Sequence, residues 1–317
     1  MGLCWYSPVM SMTENDSQNP ASLPDPVTAS ATARSATPSP PAASPSAARD
    51  AEQVARRAAG EAAAELVEPG MVLGLGTGDT AAYAIRAIAA RAQAFPKLAG
   101  SGGELGGLRC VATSRRSAEL AVQLGLTVIE LDSLTPAAAG PAALAGASSG
   151  HGPMTEPQGQ PIALTIDGAD ELDPQLQLVK GAGGALLFEK LVAQSSRRLV
   201  VIADPSKRVT RIGEKRLVPV EIVAVGSRHT RSRILALPGV LAATLRSAGQ
   251  TPYRTDGGNL ILDVQIDPQA VAHATQLHAQ LKALCGVIET GLFCTEAQLA
   301  LIGNPDGSVT RLVRPAS

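Results

Sequence analysis

Aromatic side chains are scarce. One Trp, three Tyr and three Phe make up 2% of the 317 residues. So few rings argue against a surface that stacks bases on aromatic platforms. The core must instead be built from Ala, Val, Leu and Ile. Cysteine is equally sparse: Cys4, Cys110, Cys285 and Cys294 share no CxxC spacing. That argues against a zinc site or a disulfide framework and for small buried or free thiols in a reducing cytosol. Neither sign of charge is in excess, with 27 Lys and Arg against 28 Asp and Glu. The electrostatic footprint of a nucleic-acid or anionic-membrane partner is missing. No apolar run approaches the ~18 residues of a spanning helix. His151, His229, His273 and His278 are scattered, and the last two lie five apart, on different helix faces. No metal site is expected. A Gly-x-Ser-x-Gly nucleophile elbow is also missing where a hydrolase needs one.

What is present divides the chain. Residues 1–48 hold eight of the 23 prolines, and 29–48 are almost entirely Ala, Ser, Thr and Pro. Such a segment buries too little apolar surface to offset its ordering entropy, so 1–48 is read as a disordered extension. It lacks the charged start and apolar centre of a secretory signal, and Glu14, Asp16 and Asp25 argue against a transit peptide. A cytoplasmic location is expected, with Met10 and Met12 as alternative starts.

From residue 49 helical and strand signals alternate. Helices are expected at 51–66, from just after Thr80 to about 91, at 115–124 and at 185–195, with Ser114 capping the third. Strands are expected at 71–75, 109–112, 127–131, 162–166 and 199–203. The strands are apolar throughout, which indicates a buried parallel sheet with helices on both faces. The fold class is therefore α/β, a doubly wound, mostly parallel, Rossmann-like sheet. Residues 99–107 and 135–159 read as lengthened surface loops. After Val218 the pattern changes. A strand at 220–225, a helix at 228–235, a strand at 260–264 and a helix opened by Asp267-Pro268 and running to 284 suggest a smaller α+β domain over 220–285. Residues 286–317 are expected to rejoin 49–219 in the main domain.

Four expected strand ends carry chemistry. Gly74-Leu75-Gly76-Thr77-Gly78-Asp79-Thr80 follows one strand and opens a helix. Glycines allow a tight turn with exposed amides, and a helix N-terminus favours anions, so phosphate is the natural ligand. The stretch is neither a P-loop nor a GxGxxG fingerprint. Asp167-Gly168-Ala169-Asp170-Glu171 places three carboxylates at a strand's carboxyl end, where doubly wound sheets bind ligands. Close carboxylates push each other's pKa apart, which suits acid–base work. Lys180-Gly181-Ala182-Gly183-Gly184 exposes amides beside a cation, an arrangement able to stabilise an oxyanion. Glu189 follows just over one helical turn later. Ala203-Asp204-Pro205-Ser206-Lys207 offers a further cation for phosphate.

In this order, together with Ala112-Thr113-Ser114, Pro219-Val220-Glu221, Thr255-Asp256-Gly257-Gly258-Asn259-Leu260-Ile261-Leu262-Asp263 and Gly291-Leu292-Phe293, these segments resemble ribose-5-phosphate isomerase, type A, from about residue 50 onward. The resemblance implies cofactor-free interconversion of ribose 5-phosphate and ribulose 5-phosphate, a step of the non-oxidative pentose phosphate pathway, by a homodimer or homotetramer. It assigns Glu189 as the base and puts Asp167, Asp170 and Lys180 around the sugar oxygens. It places Thr77, Gly78, Asp79, Thr80, Gly168, Ala169, Gly181, Ala182, Gly183 and Lys207 at the substrate. Moving a proton between adjacent carbons needs one base, a cation or amides at the oxygen that gains charge, and a carboxyl to shuttle hydroxyl protons, for which Asp167 is favoured. Four positions depart from the family pattern: Asp79 for Ser, Ala182 for Gly, Phe188 for Arg and Gly257 for Asn. Two other readings are a CoA-transferase or amino-sugar phosphate deaminase of the same fold and a non-enzymatic sugar-phosphate sensor. A sensor would carry a helix-turn-helix that residues 1–48 cannot form.

Overall fold

The computed structural model describes residues 45–94, 107–134, 161–271 and 273–315. The expectations for residues 1–44 and for most of the two lengthened loops lie outside the described residues.

Along the chain the elements are α1 (Pro45–Ala64), β1 (Val72–Leu75), α2 (Asp79–Ala94), β2 (Arg109–Ala112), α3 (Arg115–Gln123) and β3 (Thr127–Val128). Then come β4 (Leu164–Gly168), β5 (Glu171–Leu172), β6 (Leu178–Val179), α4 (Leu186–Gln194) and β7 (Leu199–Ala203). β8 (Val218–Ile222), α5 (Ser227–Leu235), β9 (Val240–Leu245), β10 (Ser247–Ala248), β11 (Thr251–Pro252) and β12 (Leu260–Ile266) follow. The chain closes with α6 (Ala274–Lys282), β13 (Val287–Thr290), β14 (Leu292–Phe293), β15 (Ala297–Gly303) and β16 (Val309–Val313).

The main sheet has seven strands in the order β16-β15-β7-β4-β1-β2-β3. All neighbours are parallel except β15 and β16. Its residues alternate between two cores, as the two-residue period of a strand requires. Leu73, Leu75, Val200, Ile202, Leu299 and Leu301 pack with α1 and α2 on one face. Leu199, Val201, Ala203, Ala300 and Ile302 meet Ala193 of α4 and Phe293 on the other. Doubly wound, mostly parallel architecture is what the apolar strands foretold.

Scarce aromatics are compensated by close approach. Ala55, Ala59 and Ala63 of α1 are fully buried. A Cβ on Gly60 would fall 2.7 Å from the Ala84 nitrogen of α2, and one on Gly303 of β15 would fall 1.8 Å from the Ala55 carbonyl oxygen. Small side chains gain little by burial area alone, so tight backbone contact supplies the dispersion energy here.

A second, antiparallel sheet runs β13-β8-β12-β9, and a small one runs β14-β6-β5. The four-stranded sheet closes its own core with Ile234 of α5 and Leu277 and Leu281 of α6. Several expected boundaries shift. α1 begins at Pro45, so 45–48 are helical rather than part of the extension. Only Thr127 and Val128 of the 127–131 strand pair, because the chain turns into a 3-10 segment at Leu131–Leu134. β4 is displaced to Leu164–Gly168. α6 starts at Ala274: the Asp267 side chain accepts from Gln269 N at 2.8 Å and forms a turn, not a helix cap. Residues 287–290 pair with β8 of the smaller sheet instead of rejoining the main one.

Gly303→Ala is expected to destabilise the protein by about 3 kcal/mol, since the new methyl meets backbone that cannot yield. A lowered denaturant midpoint with unchanged slope checks it.

Candidate functional site

β1 and β4 are neighbours, yet the chain leaves β1 toward β2 and leaves β4 toward β7. The loops after their carboxyl ends diverge, and ligands bind at such a switch point. Gly76 leaves β1 so close to β4 that a Cβ there would overlap Asp167 Oδ1 at 2.2 Å. Asp167 Oδ1 accepts from Thr77 N at 3.0 Å and Gly168 N at 2.7 Å. Its other oxygen, Oδ2, makes an ion pair with Lys180 Nζ at 3.0 Å. It takes no angularly well-formed hydrogen bond among the described residues.

Lys180 follows β6, where its amide donates to Gly291 O at 2.8 Å. Its ammonium donates to the Gly168 carbonyl at 2.7 Å and lies 3.3 Å from Glu189 Oε1. Glu189 sits in the first turn of α4. Its second oxygen, Oε2, has no hydrogen-bond partner among the described residues. Lys180, Asp167 and Glu189 are all buried. The next residue, Lys190, points elsewhere: its ammonium holds Glu289 Oε1, Thr290 O and Leu292 O at 2.9, 2.7 and 2.8 Å and pins α4 to the β13–β14 turn. Both ammonium groups lie against the ring of Phe293, at 5.5 Å for Lys180 and 4.7 Å for Lys190.

Burial pushes the Glu189 carboxyl up to about 8; Lys180 opposes the shift, while Asp167 and Asp170 add to it. Burial raises Asp167 above the carboxylate range as well, against the pull of Lys180. For Lys180 burial acts downward, but Asp167, Glu189 and Asp170 outweigh it and hold the ammonium charged.

Around this triad a cavity of about 180 Å³ is lined by Arg56, Thr77, Gly78, Asp79, Thr80, Gly168, Ala169, Asp170, Lys180, Gly181, Ala182, Gly183, Glu189 and Lys207. Every candidate named from the sequence lies on this wall except Asp167, which sits behind it. Asp170 accepts from Ala182 N at 2.9 Å. Gly181 and Gly184 adopt φ of +95° and +86°, whereas Ala182 keeps a negative φ, so alanine is free of strain there. Asp79 Oδ1 pairs with Arg116 at 3.1 Å and Oδ2 lies 4.0 Å from Arg56, with a mostly exposed side chain. Phe188 faces a different cavity, beside Arg115 and Asp256. Glu171, the third acid of the cluster, leaves the site: it accepts from Gly213 N and Arg216 N at 2.6 Å each and anchors that loop.

Arg56 was not singled out in the sequence. It reaches the mouth from α1 and contacts Asp204 Oδ2 at 3.4 Å, beside Lys207. The signal was available: Arg56 shares a helix face, three and seven residues on, with the buried Ala59 and Ala63. Among the described residues no group of three His, Cys, Asp or Glu could hold a metal ion.

A Rossmann-like sheet whose switch point joins a buried carboxyl with one unpartnered oxygen, a buried ammonium and two cations at the mouth has the layout of an enzyme for small anionic molecules. Residues 144–307 match the family profile of ribose 5-phosphate isomerase A (phosphoriboisomerase A). The chain is 41% identical over 242 residues to ribose-5-phosphate isomerase A of Chloroflexus aurantiacus, covering 76% of this chain and 86% of that protein. It is 39% identical over 243 residues to that of Deinococcus radiodurans, covering 76% and 90%. The solved ribose 5-phosphate isomerase A of Methanocaldococcus jannaschii matches with a TM-score of 0.67 at 27% identity, over 83% of this chain and 99% of that one. A D-ribose-5-phosphate isomerase solved in complex with phospho-erythronic acid matches with a TM-score of 0.68 at 27% identity, with the same coverage. The chain belongs to the ribose 5-phosphate isomerase A family.

A carboxyl raised from the ordinary glutamate value to about 8 by folding binds a proton that the unfolded chain has already released. Stability therefore falls as pH rises from about 4.5 through 8. Glu189→Gln is expected to flatten that slope and to match or exceed the parent's stability at pH 8, as read from denaturant titrations across this range.

Proposed function

We propose that the chain interconverts D-ribose 5-phosphate and D-ribulose 5-phosphate, with Glu189 moving one proton between C2 and C1. The observation that carries this reading is the buried Oε2 of Glu189, unpartnered among the described residues in a carboxyl that lines the cavity and borders Lys180 and Asp167. In the open-chain aldose Glu189 takes the C2 proton, and the electron pair forms the C1–C2 double bond of an enediolate. Lys180 and the Gly183 amide stabilise the oxygen that gains charge, while the Ala182 amide is held by Asp170. Lys180, which lines the cavity, relays the O2 proton to O1, backed by Asp167, whose one oxygen is fixed by two amides and whose other meets the ammonium at 3.0 Å. Glu189 then returns its proton to C1. Base and cation suffice, with no cofactor in the scheme.

The phosphate belongs at the mouth. Residues 77–80 open α2, whose N-terminus favours an anion, and Arg56 and Lys207 flank it. This remote grip orients the reacting carbons. Arg116 and Arg56 offset only part of the Asp79 charge, since the Asp79 side chain is mostly exposed and its contact with Arg56 is 4.0 Å long, so Asp79 still repels the dianion.

The phospho-erythronic acid complex of a relative supports a phosphorylated four- or five-carbon acid or sugar as ligand. A nucleophilic glutamate of the transferase type is less well served, since Lys180 holds one Glu189 oxygen. Free thiols at Cys110, Cys285 and Cys294 suit a reducing cytoplasm.

Glu189→Gln is expected to lower kcat by about 10³-fold or more and to leave KM within a few-fold. In the parent, kcat/KM should fall as pH drops below about 8, where the base becomes protonated. A retained kcat in Glu189→Gln removes the assignment. Arg56→Ala is expected to raise KM about tenfold, while Asp79→Ser should lower it about two- to ten-fold by removing a carboxylate near the dianion. Initial-rate kinetics with ribose 5-phosphate check both.

A further inference from the structure

The peptide planes of the Lys180 loop are set from outside the cavity. Arg246, directly after β9, donates from Nη1 to the carbonyls of Gly181 and Ala182, each at 3.0 Å. Tyr253, directly after β11, donates its hydroxyl to the Gly183 carbonyl at 3.2 Å. Arg246 is fixed in turn by Asp263 of β12, with Nε to Oδ2 at 3.0 Å and Nη2 to Oδ1 at 2.5 Å. Its guanidinium lies 5.8 Å from the Tyr253 ring centroid. Neither Arg246 nor Tyr253 lines the cavity.

In a trans peptide the carbonyl and the following amide point in opposite directions. The grip on Gly181 O therefore aims the Ala182 amide at Asp170, where it is found at 2.9 Å. The grip on Ala182 O aims the Gly183 amide the same way, toward the cavity its residue lines. That amide has no hydrogen-bond partner among the described residues. The Gly184 amide is excluded, because it closes the turn onto Gly181 O at 2.9 Å. One guanidinium thus fixes two successive peptide planes, those that present Asp170 and the open Gly183 donor. A planar fork can hold Asp263 on one edge and two carbonyls with the remaining nitrogen; an ammonium cannot do both.

We propose that Arg246, held by Asp263, is a positioning residue for the isomerisation, orienting the Lys180 loop so that its Gly183 amide meets the oxygen that gains charge. The inference rests on the isomerase reading above. A donor aimed at charge that develops during the reaction acts on kcat, whereas the phosphate grip that dominates KM is made by other residues.

Full-length protein is assayed with ribose 5-phosphate as Arg246→Gln, Arg246→Lys, Asp263→Asn and the Arg246→Gln/Asp263→Asn pair. Arg246→Gln is expected to lower kcat about 10- to 100-fold with KM within threefold, and Arg246→Lys to recover only part of it. The double variant should lose little more than Arg246→Gln alone, because Asp263 acts through Arg246. Folded Arg246→Gln with kcat within twofold of the parent overturns the proposal, as does a loss confined to KM or multiplicative losses in the pair. Should circular dichroism show Arg246→Gln misfolded, Asp263→Asn decides: a folded variant with unchanged kcat overturns it, and a kcat-only loss supports it. Failure of the isomerase reading looks different, since the parent itself would not turn over ribose 5-phosphate.

Discussion

Lys180 is the interaction on which the site depends. Its ammonium is buried and touches the Gly168 carbonyl and the carboxylates of Asp167 and Glu189. Taking such a cation out of water costs several kcal/mol even after relaxation, so it stays charged only while the carboxylates surround it. Burial penalises the charged form of Glu189 most, and the negative charge of Asp167 and Asp170 adds to that against the pull of Lys180, so Glu189 titrates near 8 rather than near 4.5. The elements that deliver these groups are β4, the β6 exit and the first turn of α4, brought together where the sheet order reverses.

The parts of the site differ in how they are held. Glu189 and Lys180 are locked by burial, by the Gly291 carbonyl and by the Lys190 anchor. The mouth is looser and wetter. Arg56 is shared among Asp204, Glu52 and Asp79, and Asp79 is mostly exposed. A rigid interior with an adaptable entrance suits chemistry that tolerates little misplacement of the proton path but must release a charged product.

Much of this was legible in the sequence. Apolar strands between helices gave the doubly wound sheet, and runs of small residues at strand ends gave the loops of the site. Strand order and partner choice were not legible: nothing in Val287-Ile288-Glu289-Thr290 distinguishes one sheet from the other, and only tertiary contact places them beside β8. Asp267-Pro268 looked like a helix start because an Asx turn and an N-cap use the same residues. Glu171 follows Asp170 directly in the sequence, but strand β5 turns its side chain to the amides of 213 and 216. Arg56 and Arg246 lie outside the motif segments, and the site groups that make them matter, Asp204 and the Gly181 and Ala182 carbonyls, are far away in the chain, beyond any local pattern.

The Gly291 carbonyl that receives the Lys180 amide, and the turn that receives Lys190, come late in the chain, as does β15, whose Gly303 abuts the start of α1. A ribosome releases the chain from its N-terminus. Residues 167–190 therefore emerge long before the backbone that registers them, and α1, which bears Arg56, waits longer still for its neighbour. Chemistry is in this sense the last property the nascent polypeptide acquires. An unfinished chain exposes parallel strands without their edge partner while holding a cation and two acids that have nowhere dry to go.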